Sequence, residues 1–133
     1  MNKIEHIGIA VKDLNLSNEI FSKLFGAQPY KSEEVQSEGV NTSFFMNGPN
    51  KIELLEATNP DSPIAKFIEK RGEGIHHIAF DVDDIIAEIA RLKQEGFLVL
   101  NDVPKKGADN KLVAFLHPKS TNGVLIELCQ EIK

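Results

Sequence analysis

The chain opens with the stretch IEHIGIAV at residues 4–11, which recurs in altered form as IHHIAFDV at residues 75–82. A second pair of stretches follows them, KIELL at residues 51–55 and LIELC at residues 125–129. Each half of the chain therefore has an apolar run with a histidine and, further on, an apolar run with a glutamate. Because a buried charge needs a partner or a metal, this repeat predicts a duplicated fold that closes around one ion.

Composition limits the classes of protein that this chain could belong to. Its 133 residues, 41% hydrophobic and 26% charged, are typical of one globular domain. The formal net charge of −5 disfavours nucleic-acid binding. Cys129 is the only cysteine, so an intrachain disulfide is excluded. Since no run resembles a secretory signal or a membrane span, we predict a cytoplasmic protein with no membrane or nucleic-acid partner.

The repeat predicts an α+β fold made of two tandem βαβββ modules within a single domain, residues 1–133. Alternating and helical apolar patterns place the elements. The first module, about residues 1–58, is predicted to contain a strand at 3–11, a helix at 14–25 and strands near 28–36, 42–47 and 51–57. A linker helix is expected at about 61–71. The second module, about residues 73–133, repeats the order with a strand at 75–82, a helix to about 95 and strands near 97–101, 112–117 and 123–130.

Strand parity selects which histidine of each half belongs to the repeat. Side chains two residues apart share a face of a strand, so His6 lies on the face opposite to the apolar residues that meet the helix. His77, and not His76, occupies the equivalent position in the second copy. Glu53 and Glu127 likewise face away from their apolar neighbours. We therefore predict that four polar side chains project from the helix-free faces of two sheets that enclose a metal-containing cavity.

Two imidazoles and two carboxylates form a ligand set suited to a borderline or hard divalent ion such as Co, Ni, Mn, Zn or Fe. Any one of these residues alone would more often be an ordinary surface or hydrogen-bonded residue. The internal repeat changes that balance, because duplication predicts that His6, Glu53, His77 and Glu127 pair in space. His76 remains an ordinary residue in this interpretation, and His117, beside Pro118, is expected to serve a turn.

These residues resemble the vicinal oxygen chelate superfamily, which includes glyoxalase I, extradiol dioxygenases and bleomycin-resistance proteins. Within it, the chain is similar nearly end to end to the methylmalonyl-CoA epimerase family. Besides the repeated strands, the similar segments are DSPIAKF at 61–67, GEGIHHIAF at 72–80, FLHPKS at 115–120 and GVLIEL at 123–128. The strand motifs alone indicate the superfamily, whereas the linker and the final segment favour the epimerases.

The resemblance implies a glyoxalase-like fold and the interconversion of the two C2 epimers of methylmalonyl-CoA, through an enolate that a divalent metal stabilises. It implies metal ligation by His6, Glu53, His77 and Glu127, with Co²⁺ favoured and Ni²⁺, Mn²⁺, Zn²⁺ or Mg²⁺ as alternatives. Glu127 is also a candidate base. Some relatives carry a second glutamate where this chain has Thr42, so the second proton-transfer group is open between Glu53 and a metal-bound water. A homodimer is the family-level expectation.

Coenzyme A would need groups that recognise its phosphates and its thioester. Loop lysines are the candidates for the phosphates, and hydroxyl groups of the last hairpin are candidates near the thioester. These substrate-binding candidates are Lys105, Lys106, Lys111, Lys119, Ser120 and Thr121.

Two alternative functions remain open, a glyoxalase I-like lactoylglutathione lyase acting on a hemithioacetal and a metal-free ligand-binding member of the superfamily. The linker and final motifs argue against the glyoxalase I-like lyase. Retention of all four ligand-type residues argues against the metal-free binding protein.

Overall fold

The structure is a computed structural model that describes residues 1–133, and its elements follow the predicted order βαβββ twice. The first series is β1 (Lys3–Ala10), α1 (Leu14–Phe25), β2 (Lys31–Val35), β3 (Val40–Asn47) and β4 (Asn50–Ala57). After α2 (Pro63–Arg71) come β5 (Gly74–Asp81), α3 (Ile85–Gln94), β6 (Lys105–Lys106), β7 (Lys111–Leu116) and β8 (Ile126–Glu131). This order confirms the predicted α+β fold. None of the helices combines the length and the apolar character needed to cross a bilayer.

Contacts divide the chain into two compact units, residues 6–76, here the first-half unit, and residues 77–133 with residues 1–5, here the second-half unit. In the first-half unit the strand order is β2-β3-β4-β1, with β1 and β4 parallel and the other neighbours antiparallel. In the second-half unit the order is β5-β8-β7-β6, with β5 and β8 parallel. Each unit thus pairs its first strand with its last in the same way. The module boundaries near residues 58 and 73 stay a prediction.

Side-chain caps fix where the helices begin. Asp13 accepts a hydrogen bond from Leu16 N at 3.0 Å, and Asp84 accepts one from Ala87 N at 3.1 Å. Both aspartates therefore satisfy main-chain donors that the first turn of a helix leaves without partners. Gly26 ends α1 in the left-handed conformation, with a φ of 69°, which glycine adopts without steric cost.

In each unit, one face of the strands packs against a helix, as strand parity predicts. In the first-half unit Val11, Phe45 and Leu54 are buried together with apolar residues of α1. The opposite face of this unit is not free of helices, which corrects the expectation. Ile64 of α2 is buried there with Ala10 and Leu55. The physical reason is that α2 has an apolar stripe of its own and must bury it.

The prediction of a strand near residues 97–101 is wrong. The structure has a single antiparallel bridge there, between Val99 and Leu116. The next main-chain donor of β7, Phe115 N, donates to the side-chain Oδ1 of Asn101 at 2.9 Å instead of to a neighbouring strand. Pairing with β7 resumes only at β6, a strand of two residues that follows Pro104. Since proline offers no N–H to a ladder, this edge stays short.

Candidate functional site

The first-half unit brings His6 and Glu53 together through the register of two parallel strands. Gly8 on β1 lies opposite Glu53 on β4, and His6 precedes Gly8 by two residues, so it shares the same face. His6 Nε2 lies 3.5 Å from Glu53 Oε1. Both residues are only 5% exposed, so two ionisable side chains meet in a buried environment.

The second-half unit repeats this arrangement with His77 and Glu127. Ala79 on β5 lies opposite Glu127 on β8, just as Gly8 lies opposite Glu53 in the other unit. His77 Nε2 lies 3.1 Å from Glu127 Oε1, and the two residues are 4% and 6% exposed. The repeat seen in the sequence is therefore also a repeat of strand register and of side-chain pairing.

Each pair has a phenylalanine on the strand antiparallel to that of its glutamate. Phe44 lies opposite Glu53 across β3 and β4, and Phe115 lies opposite Glu127 across β7 and β8. The Phe115 ring also meets the His77 ring edge-on, with a centroid distance of 6.1 Å. Carboxylates in such surroundings lose their hydration and must be compensated by a cation or by hydrogen-bond donors.

A divalent cation fits the chemistry of these donors. Each pair offers imidazole nitrogen and carboxylate oxygen, the ligand types that zinc and the other borderline divalent ions accept in proteins. In each pair a histidine Nε2 and a carboxylate oxygen already face each other at short distance. The burial of both carboxylates gives an added reason for positive charge at these positions.

His76 and His117, the two histidines outside the repeat, make structural contacts, as the sequence predicts. The His76 ring packs edge-on against the ring of Phe67, with centroids 5.0 Å apart. His117 Nδ1 accepts a hydrogen bond from Lys119 N at 3.0 Å, so it serves the turn that begins at Pro118, as expected.

Thr42 is buried, with 1% exposure, and its hydroxyl is used within the sheet. Thr42 Oγ1 donates to the main-chain oxygen of Glu33 at 3.0 Å, across β2 and β3. A hydroxyl held in this way, with its high intrinsic pKa, is poorly suited to exchange protons with a substrate. Thr42 is therefore no candidate for the second proton-transfer group, which stays open between Glu53 and a metal-bound water.

The predicted substrate-binding residues fall into three structural situations. Lys105, Lys106 and Lys119 are exposed. The Ser120 hydroxyl donates to His117 O at 2.9 Å, and the Thr121 hydroxyl donates to Val124 O, so both stabilise the last turn. The expectation of a loop position for Lys111 is wrong, because Lys111 begins β7, is 8% exposed and lies 3.9 Å from the buried carboxylate of Glu5.

Sequence reasoning missed Cys129 as a neighbour of the site. Cys129 is fully buried, and its Sγ lies 2.8 Å from Glu127 Oε2. The signal was available, because residues two apart on a strand share a face and Cys129 follows Glu127 by two positions. The contact between Cys129 and Glu127 is therefore an addition to the site that the sequence predicts.

Comparison with known proteins identifies the superfamily. Residues 5–115 match the family model of the glyoxalase/bleomycin resistance protein/dioxygenase superfamily. The chain belongs to this superfamily, as the resemblance of its repeated strands predicted.

Similar proteins narrow this assignment. An ethylmalonyl-CoA/methylmalonyl-CoA epimerase of Cereibacter sphaeroides is 42% identical, over 98% of this chain and 98% of that protein. A solved structure of methylmalonyl-CoA epimerase in complex with methylmalonyl-CoA and NH4+ is 36% identical, with a TM-score of 0.94, and the match covers 98% of this chain and 95% of that one. A hypothetical protein from Bacillus halodurans C-125 is 45% identical, with a TM-score of 0.96 over 99% and 96% of the two chains. The similarity to epimerases along the full chain supports the prediction of an isomerase of the epimerase type.

Proposed function

We propose that this protein interconverts the two C2 epimers of methylmalonyl-CoA with the help of a divalent cation. The observation that carries the proposal is the pair of buried His–Glu contacts, which stand in the same register in both units. These contacts lie in a chain that is similar throughout its length to methylmalonyl-CoA epimerases.

We assign the cation to His6, Glu53, His77 and Glu127 together. The chemistry of these donors and the burial of both carboxylates support the assignment. When bound, a divalent cation supplies positive charge that stabilises the oxyanion developing on the substrate thioester. Co²⁺ is favoured by the resemblance, and Ni²⁺, Mn²⁺, Zn²⁺ and Mg²⁺ are the alternatives for a metal-replacement series.

Epimerisation needs two proton-transfer groups, one on each side of the plane formed at C2. We assign Glu127 to the first role and Glu53 to the second. Both are buried carboxylates, and a buried base is less solvated than one in water. A metal-bound water is the alternative for the second role.

For the coenzyme A portion, we propose that the exposed Lys105, Lys106 and Lys119 meet its phosphates. Ser120 and Thr121 contribute mainly by holding the turn that carries Lys119, since their hydroxyl groups donate to main-chain oxygens. The homodimer and the cytoplasmic location remain predictions.

The test presents two substrates to the metal-loaded protein. One sample receives a single epimer of methylmalonyl-CoA, and the other receives the hemithioacetal of methylglyoxal and glutathione. We expect the single epimer of methylmalonyl-CoA to become a mixture of epimers and the hemithioacetal to persist. Formation of lactoylglutathione alone would instead identify a glyoxalase I-like lyase, and binding without turnover of either compound would identify a ligand-binding member of the superfamily.

A further inference from the structure

Strand β8 places Cys129 on the same face as Glu127, and the two side chains meet directly. Cys129 Sγ lies 2.8 Å from Glu127 Oε2, while Glu127 Oε1 lies 3.1 Å from His77 Nε2. The two carboxylate oxygens of Glu127 therefore have different neighbours. A contact of this kind on each oxygen restricts rotation of the carboxylate about its last bond.

The surroundings of Cys129 favour a firm contact. The residue is fully buried in a cluster with Ala79 and Val113, and Phe115 packs against this cluster. Such neighbours hold the thiol in place by packing. A thiol is a weak donor, but a charged acceptor and a low local dielectric constant both strengthen its hydrogen bond.

The contact also distinguishes the two halves of the chain. Alignment of KIELL with LIELC places Leu55 two residues after Glu53, where Cys129 stands two residues after Glu127. Leu55 is buried among Ala10, Val40 and Ile64, and its side chain has no group that could donate a hydrogen bond. The duplication therefore conserves the histidine and the glutamate of each pair, whereas this donor belongs to the second half alone.

We propose that Cys129 is a positioning residue for Glu127, whose carboxylate plane it fixes by donating to Oε2 so that Oε1 is directed to the side of His77. This inference rests on the proposed function and deepens it. Loss of a residue that hydrogen-bonds a metal-ligating side chain commonly lowers metal affinity or activity by about 10- to 100-fold. A weak donor such as a thiol belongs at the lower end of that range.

The test uses the Cys129→Ala and Cys129→Ser variants, with Val113→Ala as the matched control. Val113→Ala loosens the same cluster without touching the thiol. Co²⁺ affinity is measured by competition with a chelator and by the visible absorption of the bound ion, and kcat and KM are measured at saturating Co²⁺. We expect Cys129→Ala to bind Co²⁺ about 10-fold more weakly, with a lower kcat and an unchanged KM. Cys129→Ser keeps a hydrogen-bond donor and should recover most of the lost Co²⁺ affinity and kcat. Val113→Ala should retain the wild-type values of both.

Three results would overturn the inference: wild-type behaviour of Cys129→Ala, an equal loss in Val113→Ala, or a Cys129→Ser variant as impaired as Cys129→Ala. Wild-type protein that binds Co²⁺ but does not epimerise methylmalonyl-CoA would overturn the proposed function alone, because the affinity and absorption measurements still test Cys129. Wild-type protein that binds no divalent cation would overturn both.

Discussion

His77 Nε2 lies 3.1 Å from Oε1 of Glu127, on a neighbouring parallel strand of the same unit. The same relationship, at 3.5 Å, joins His6 to Glu53 in the other unit. A single buried His–Glu contact is common in protein cores and needs no function to explain it. Two such contacts stand in equivalent register, each beside a small residue of the histidine's strand and a phenylalanine of the strand antiparallel to the glutamate's. They indicate a duplicated arrangement that has kept its polar groups in spite of the cost of burying them.

Replacing His77 by alanine should abolish high-affinity binding of Co²⁺, because the variant loses one of the proposed ligands and leaves the Glu127 carboxylate beside an empty space. Titration with Co²⁺, followed by its visible absorption, measures the effect. His76→Ala is the matched control, since the His76 ring packs against Phe67 in the same part of the chain. Equal loss of affinity in both variants would contradict the assignment of His77 by parity.

Replacing each glutamate singly by glutamine should separate the two proton transfers. Glu127→Gln and Glu53→Gln are each expected to lower the rate of epimerisation at saturating metal by about 100-fold or more, with a smaller change in KM, because general acid–base catalysis contributes in this range. Each variant should still exchange the C2 proton of one epimer with solvent. The two variants should differ in which epimer they exchange. Loss of exchange for both epimers in both variants would contradict the two-carboxylate assignment.

Removal of the cation should lower the stability of the fold as well as its activity. A ligand that binds only the folded state adds about 2.7 kcal/mol to the free energy of unfolding at 100 times its dissociation constant. Thermal unfolding with chelator and with Co²⁺ in excess should therefore show a higher midpoint for the Co²⁺ sample. The His77→Ala variant should lose this difference. An unchanged midpoint in the wild-type protein would argue against a cation bound to the folded state.

Gly39 provides a test of how the chain approaches β3. Its φ is 64°, and a Cβ added there would lie 2.8 Å from Ser62 Cβ. Gly26 has a similar φ of 69° but nothing within 4 Å of an added Cβ, so Gly26→Ala is the matched control. Both alanine variants should lose about 1–2 kcal/mol of unfolding free energy to the left-handed conformation.

The excess loss in Gly39→Ala measures the close approach to Ser62. We expect it to be at least about 1 kcal/mol, as is typical when a well-packed region has to accommodate an added methyl group. Denaturant unfolding at equilibrium gives both values. Equal losses in the two variants would show that the segment around Ser62 moves aside at no cost.

The sequence predicts the candidate site well where it depends on alternation and repetition. Alternation along β1 and β5 separates His77 from His76 and assigns His6 to the face away from α1, and the structure has the same faces. Alternation does not predict which strand pairs with which. The opposition of Gly8 to Glu53 and of Ala79 to Glu127 depends on pairing between distant segments, which propensity does not encode.

The errors have physical causes that act between elements. The apolar stripe of α2 is visible in the sequence, but its burial beside Ala10 and Leu55 is decided by tertiary packing. Asn101 ends the ladder at Phe115 through its side chain, which no alternation pattern reveals. Lysine is typical of exposed loops, whereas the carboxylate of Glu5, 3.9 Å from the ammonium nitrogen of Lys111, compensates the burial of that charge.

The proposed function depends above all on proton transfer at C2 of methylmalonyl-CoA. The most direct measurement incubates the Co²⁺-loaded protein with one epimer in D₂O and follows the C2 proton by NMR, alongside chiral analysis of the product. We expect the C2 signal to disappear as deuterium enters and the second epimer to form. A C2 signal that persists, while the same preparation converts the methylglyoxal–glutathione hemithioacetal, would contradict the proposed function.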